Sequence, residues 1–473
     1  MDVLILGGTG FIGRALVPAL FRAGHRVTVM ARDPRTAGNV VGEEARVVST
    51  GHDDHLAQVC SQHDAVINLA GAPLVGARWT RARRRMLENS RIETTRQLTR
   101  ALGLACPRPG VLLSASAIGY YGHRHGEDVT ESATPAKDFL GQLCTKWEAA
   151  AAHAVPLAVR VVVLRLGVVL GREGGALGAM LPAFQAGLGA IVGDGTQDVS
   201  WIHLHDAIRI ITTALVDDRY EGPFNCVAPE PVSNLTLTSH LSSACNRRTL
   251  LRLPAIALRL ALGGASQTLL ASQRVLPQRL GERGFRFTYP TLAEALADLV
   301  PVHGVVIGRA TTVPRDAYLQ RRPPRYELRT SVKLDVPVEE AFAFFSSARN
   351  LGLITPAGMS FRILEAPSAI SGGARIRYRL RIAGVPLGWL TRIASWETGS
   401  RFVDIQESGP YRTWWHEHTF RGEGTQTVMD DRVLYTPPFG VLGRMAHRIV
   451  IAPMLRRIFA YRGHVIRLRF GHG

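Results

Sequence analysis

The stretch MDVLILGGTGFIGR, residues 1–14, decides the reading of the first half of the chain. Val3 to Leu6 is an apolar run of strand type, and Gly7-Gly8-Thr9-Gly10-Phe11-Ile12-Gly13 follows at once. From Phe11 to Arg22 the pattern turns amphipathic and helical, and Gly24 ends it. A buried strand, a Gly-rich turn and a helix N-terminus together make a cradle for a dinucleotide pyrophosphate. The glycines let backbone N–H groups approach the phosphates, and the helix dipole favours their charge. Gly7, Thr9, Gly10, Phe11, Ile12 and Gly13 are the expected contacts. The competing reading is a tight turn that uses glycine for sterics alone.

Outward from this turn, residues 1 to about 170 alternate strand and helix patterns, which predicts a doubly wound parallel sheet of α/β class. Arg26 to Met30 is strand two. An acid after that strand suits the ribose 2′-OH of NAD, whereas arginine suits a 2′-phosphate. Ala31 takes the acid position and Arg32 follows, so NADP(H) is the expected cofactor; Asp33 argues the other way. Asp64 to Leu69 runs into Ala70-Gly71, small residues where backbone passes the nicotinamide ribose. Leu69, Ala70, Gly71, Arg91 and Val169 complete the expected cofactor contacts. The strand Val111–Leu113 ends in Ser114-Ala115-Ser116-Ala117-Ile118-Gly119-Tyr120-Tyr121-Gly122, a hydroxyl cluster at the sheet end where this fold class binds ligands.

With GGTGFIG, NLAG (68–71), SASAIGYYG (114–122), KWEAAA (146–151), RLGVVLG (165–171) and WIHLHD (201–206), residues 1 to about 300 resemble the extended short-chain dehydrogenase/reductases. Within these the motifs are similar to the nucleoside-diphosphate-sugar epimerase-like subfamily. RVLPQRLGERGFRFTYPTLAEALADL (274–299) resembles its short C-terminal segment, DUF1731. With the Arg32 reading, the resemblance implies an NADP(H)-dependent oxidoreductase or epimerase-like enzyme, and the unpaired cysteines point to a cytoplasmic one. It also exposes a departure, because that superfamily carries Tyr-x-x-x-Lys with a glutamate four residues further on. Anchored on Glu148, the tyrosine position holds Leu140 and the lysine position Cys144. Lys146 lies two residues beyond, turned roughly 200° around a helix.

Of the family's triad only Ser116 remains, expected to polarise a carbonyl, with Tyr120 or Tyr121 supplying the proton. A tyrosine with no neighbouring cation keeps a pKa near 10, so aromatic packing is the rival role. Cys144 reads as core. Gly174-Gly175 opens a mobile-looking loop, Asp206 reads as a helix N-cap, and His203 and His205 alternate on a strand without a third ligand. No metal centre is expected.

A linker is expected over 303–324, where Pro314, Arg321, Arg322, Pro323 and Pro324 accumulate, dividing residues 1–302 from 325–473. From Tyr326 a strand, short helices, successive antiparallel strands and a long helix over Leu442–Arg467, with a break near Pro453, form a helix-grip plan. With PVEEAFAFF (337–345), RYRLRIAGVPLGW (377–389) and WHEHTF (415–420), this half resembles the START-like superfamily, which implies an apolar ligand cavity. Trp389, Trp396, Trp414 and Trp415 are candidates to line it, although core packing is commoner. His416 and His418 share one face, toward a ligand or toward solvent. Arg444, His447, Arg448, Arg456, Arg457 and Arg462 give the last helix a basic side, a solvated face or a peripheral membrane contact.

The net charge of +18 is carried almost wholly by arginine scattered along 473 residues, without the aromatic interleaving of a nucleic-acid module, so no nucleic-acid partner is expected. Five cysteines without a C-x-x-C pair point to reduced thiols. No apolar run is long enough to span a bilayer, and strand one leaves no room for a signal peptide. The alternative function is a degenerate NADPH-binding sensor coupled to lipid or small-molecule capture, with a link to cell division implied only by the START-like resemblance.

Overall fold

Seven strands build the sheet of the first unit: β1 (Asp2–Leu6), β2 (Arg26–Ala31), β3 (Ala45–Ser49), β4 (Ala65–Asn68), β5 (Val111–Ala117), β6 (Arg160–Leu166) and β7 (Gly222–Cys226). Their order is β7-β6-β5-β4-β1-β2-β3, parallel at every step. This is a computed structural model describing residues 1–473 except 43–44, 75, 173, 186, 246, 248, 250, 301–304, 368, 383–384 and 471–473. Two compact units divide the chain, Met1–Val302 and His303–Gly473.

The central strands of the first unit are near-continuous apolar runs, as a parallel sheet covered on both faces requires. One face buries Val3 and Ile5 against α1 (Phe11–Arg22) and a later helix, Leu204–Val216. The other buries Leu4, Val66 and Leu112 against Asp53–Cys60 and Thr94–Leu104. The chain winds outward from β1 through β2 to β3, then returns to β4 on the opposite side of β1. That reversal opens a crevice beyond the C-terminal ends of β1 and β4, where α1 begins.

β6 ends at Leu166, and after Gly167 the segment Val168–Gly171 pairs in parallel with Trp201–His203. The expected loop at Gly174-Gly175 bridges back to Gly171 and opens the helix Gly175–Gln185. It is seated on the Phe11 ring: a Cβ at Gly171, Gly174 or Gly175 would come within 2.7–2.9 Å of that ring.

Asp206 is not an N-cap. His203 caps Leu204–Val216, its Nδ1 accepting the His205 N–H at 3.0 Å. Asp206 lies in the first turn, wholly buried, and its carboxylate accepts the backbone N–H groups of Thr288 and Tyr289, both at 2.9 Å. The helix thereby holds the C-terminal segment of the unit.

The second unit is one antiparallel sheet of eight strands: β8 (Val306–Arg309), β9 (Tyr326–Leu334), β10 (Arg362–Glu365), β11 (Arg375–Ile382), β12 (Val385–Glu397), β13 (Arg401–Ser408), β14 (Thr413–Glu423) and β15 (Gln426–Thr436). They run in the order β8-β9-β15-β14-β13-β12-β11-β10. The helices Val338–Phe345 and α2 (Ala452–Phe470) pack on one face through Phe342, Phe345, Leu455, Phe459 and Ile466.

The expected linker is largely part of this unit. Val306–Arg309 pairs with β9, and Leu319 of the short helix Ala317–Arg321 is buried beside Val403, Trp415 and Leu434. Proline and arginine content hid these apolar anchors, and residues 303–304 lie outside the described residues. The last helix is likewise broken, with Gly440–Ala446, a π-turn at His447–Ile451 and then α2. Arg462 and His447 are buried, so of the six residues expected on the basic side only Arg444, Arg448, Arg456 and Arg457 are exposed. Among the described residues no helix is long and apolar enough to cross a membrane.

Asp206→Ala should destabilise the first unit by about 2 kcal/mol, because two part-buried N–H groups lose their buried carboxylate acceptor. Urea unfolding followed by tryptophan fluorescence measures the difference.

Candidate functional site

At the mouth of the β1/β4 crevice the Gly-rich turn is held by close backbone approach. Gly7 has φ +84°, and a Cβ there would sit 2.7 Å from the Leu69 carbonyl. At Gly13 a Cβ would lie 2.4 Å from the Gly7 carbonyl oxygen. The Gly10 N–H donates to the Gly7 carbonyl at 3.0 Å, and Gly10 stands at the N-cap of α1 with no side chain in the way. The first-turn N–H groups of α1, on Phe11, Ile12 and Gly13, have no acceptor within the helix, and no acid lies in that turn. Thr9 and Gly10 are exposed and Phe11 and Ile12 half-buried.

Arg32 is exposed just past β2. Asp33 caps the helix Pro34–Val41, its carboxylate accepting the N–H groups of Arg35 at 3.2 Å and Thr36 at 3.3 Å. On the opposite wall Asn68 accepts the Ala70 N–H at 3.2 Å and donates to Thr95 at 2.9 Å. Arg91 is buried: it donates to the Ala72 carbonyl at 2.9 Å, and its guanidinium carbon would lie 3.1 Å from a Cβ on Gly71. It braces the loop that carries Leu69, Ala70 and Gly71, and its burial lowers its pKa. Val169 is half-buried on the strand paired to Trp201–His203.

The hydroxyl cluster leads into a buried charge network. Ser116 donates to Glu148 Oε1 at 2.6 Å. Glu148 is gripped by Arg165 through two further bonds, Nε to Oε1 at 2.9 Å and Nη2 to Oε2 at 2.8 Å. Arg165 Nη1 donates to the Tyr121 hydroxyl at 2.8 Å, and that hydroxyl donates to Asn225 Oδ1 at 2.7 Å.

Tyr121 therefore has a neighbouring cation, contrary to expectation, yet burial outweighs it and pushes the phenol up to about 12. Fully enclosed, with donor and acceptor committed, Tyr121 is a poor proton carrier at neutral pH. Tyr120 is half-buried, with the Arg165 guanidinium 3.7 Å from its ring centre. Leu140 and Cys144 are buried, the Cys144 thiol pushed up to about 12 by desolvation, and Lys146 is exposed. Sequence reasoning missed the Arg165–Glu148 pair; an arginine inside the otherwise apolar strand RVVVLRL was the available signal.

In the second unit a cavity opens between the sheet and its helices. Trp389 and Trp414 line it, while Trp396 and Trp415 pack into neighbouring clusters. His416 and His418 are buried on its wall, not solvent-facing.

A parallel sheet with this turn at its first helix defines the dehydrogenase–epimerase class. The model of the NAD dependent epimerase/dehydratase family matches residues 3–226, and that of a domain of unknown function, DUF1731, matches residues 253–299. An epimerase family protein of Mycobacterium tuberculosis is 39% identical over 295 residues, 62% of this chain and 96% of that one. The human epimerase family protein SDR39U1 is 36% identical over 304 residues, 63% of this chain and all of that one. Its crystal structure with NADPH aligns with a TM-score of 0.57 and 34% identity, covering 63% of this chain and 99% of that one. A nucleoside-diphosphate sugar epimerase of Corynebacterium glutamicum aligns at 0.51 with 31% identity, covering 63% of this chain and 58% of that one. The chain belongs to the NAD-dependent epimerase/dehydratase family.

Glu148→Gln should cost about 3–5 kcal/mol, since it leaves the Arg165 charge buried without its partner. Pairing it with Arg165→Met should recover part of that loss in denaturant unfolding.

Proposed function

We propose that the first unit is an NADP(H)-dependent oxidoreductase of epimerase type, acting on a hydroxyl or carbonyl carbon. The observation that carries the cofactor choice is the division of labour after β2: Arg32 is exposed, while the Asp33 carboxylate is committed to capping the next helix. An uncommitted acid would repel a 2′-phosphate; a capping acid next to an arginine leaves the cationic group to meet it. The cradle suits the pyrophosphate, because the turn admits no Cβ at Gly7 or Gly13 and α1 presents its N–H groups without a first-turn acid. The crystallised human relative with NADPH supports the same choice.

The bound nicotinamide would supply hydride exchange, and the chain must supply orientation and a proton. Ser116 gives its hydroxyl hydrogen to Glu148, so toward substrate it offers a lone pair. That suits accepting from a substrate hydroxyl and modifies the carbonyl-polarising role expected from sequence. With Tyr121 committed, Tyr120 is the proton donor of this reading.

The START-like assignment of the second unit rests on its eight-stranded antiparallel sheet, its long last helix and the cavity they enclose. It would hold an apolar ligand. One observation favours a second reading, an NADPH-binding protein without turnover: Leu140 and Cys144 are buried where the family's tyrosine and lysine stand.

Fluorescence titration should show NADPH binding more tightly than NADH. Arg32→Asp should weaken NADPH by about tenfold or more, given roughly 1.5–3 kcal/mol for a hydrogen bond to a charged group. Equal affinity for both nucleotides in the parent chain would overturn the choice. In a substrate screen, Tyr120→Phe and Ser116→Ala should each abolish NADPH oxidation and keep binding; NADPH binding with no oxidation by the parent chain would favour the second reading.

A further inference from the structure

The cavity of the second unit is walled mainly by apolar and aromatic side chains, yet Asp404, His416 and His418 open onto it together. Strand register places them there. His416 and His418 stand two apart on β14 and so on one face. Asp404 is the partner of His416 on β13, and Asp431 is the partner of His418 on β15. Asp404 Oδ2 lies 3.3 Å from His416 Nδ1 and 3.2 Å from His418 Nε2. The other two ring nitrogens turn to Asp431 Oδ1, His416 Nε2 at 3.1 Å and His418 Nδ1 at 2.6 Å. Asp431 is buried behind the histidines, outside the cavity lining, with Arg462 Nε 3.5 Å from its second oxygen.

Four nitrogen–oxygen contacts need four protons, and two neutral imidazoles bring only two. A cation on the Asp404 side removes the shortfall. Each imidazole then gives its one N–H to Asp431 and turns its lone pair to the ion. A carboxylate that takes the outer N–H of a metal-bound histidine is the usual second partner of such a site. Arg462 offsets the Asp431 charge, although its Nη2 also lies 3.2 Å from His418 Nδ1 and competes for that nitrogen when no ion is present. The rival is therefore a metal-free ring of ion pairs among the same five side chains.

We propose that Asp404, His416 and His418 bind a divalent transition-metal ion, with Asp431 orienting both imidazoles. The three donor atoms lie within 4.8 Å of one another. Two imidazole nitrogens and one carboxylate oxygen suit zinc, iron(II) or cobalt(II), and leave coordination positions open toward the cavity. A second feature points to what fills them. The Trp389 indole lines the same cavity, is buried, and its N–H has no hydrogen-bond partner among the described residues. A ligand with an apolar body and a carbonyl or carboxylate head would satisfy both, one oxygen on the ion and an acceptor for the indole.

The test uses the full chain, stripped with a chelator and titrated with cobalt(II) under visible absorption and with zinc by calorimetry. Stoichiometric uptake of one ion per chain with d–d bands is the expected result. His416→Gln and Asp404→Asn should each abolish the bands, and Asp431→Asn should keep them with about 10–100-fold weaker affinity. His416→Cys should restore binding and add a thiolate-to-cobalt charge-transfer band, a signature only a ligand at this position can give. The parent chain alone is decisive if a variant misfolds by circular dichroism: without stoichiometric uptake and d–d bands, the proposal falls. Equal uptake by folded His416→Gln and Asp404→Asn variants would overturn it as well.

Discussion

The first unit depends on three backbone segments meeting with no space for a side-chain carbon between them. The Gly7 turn, the first turn of α1 and the end of β4 approach so closely that a Cβ at Gly7 or Gly13 would overlap main-chain atoms. Side chains can repack around a missing methylene, but main chain cannot yield without moving a strand. This contact fixes where α1 starts, which way its N–H groups face and how deep the crevice between β1 and β4 is. Phe11, one residue into the helix, carries the constraint outward: its ring is the seat for Gly171, Gly174 and Gly175. A loop whose composition reads as mobile is thereby fitted to the same turn.

The polar interior follows a different rule. Arg165 sits in a strand of the central sheet, where an unpaired cation would be prohibitive. All three of its nitrogens are used, two on Glu148 and one on Tyr121 and the Glu131 carbonyl. Ser116 and Tyr121 inherit their orientations from this pair. The retained serine is thus held by a carboxylate on the helix Phe139–Ala152, itself fixed by a guanidinium in β6. Cys144 and Leu140 can then be plain core.

How much of this was legible depended on whether the signal was local. The turn, the parallel strands and the Arg32 position are written in contiguous residues, and periodicity finds them. The Leu140–Cys144 departure was visible because a single helix carries it, and helical spacing alone turns Lys146 to the outside. Tyr121 was misjudged because its cation comes from Arg165, 44 residues away in sequence, through strand pairing that no local pattern encodes. The Asp206 reading failed similarly, since its partners Thr288 and Tyr289 lie 82 and 83 residues further on. Residues 305–324 were read by composition, which registers prolines and arginines but not one anchoring leucine. In the second unit the paired histidines were visible on one strand. Their acids were not, because each comes from a neighbouring strand whose register the sequence leaves open.

Both units bury charge, and the difference lies in what remains to be satisfied. Around Arg165 each nitrogen donates to an acceptor of the chain, and the carboxylate of Glu148 takes three bonds, two from Arg165 and one from Ser116. Such a network is complete without a ligand and serves to hold shape. Around Asp404 the contacts outnumber the protons that neutral imidazoles can provide, and three of the groups face a cavity lined by an indole N–H without a partner among the described residues. A closed network stabilises the interior that contains it; an incomplete one beside a cavity makes the site sensitive to what enters. The two lie in sheets of opposite kind. In the parallel sheet, strands buried on both faces leave functional groups to gather at the strand ends. In the antiparallel sheet, alternate residues of β13, β14 and β15 point to one face, so cross-strand neighbours can converge in mid-sheet.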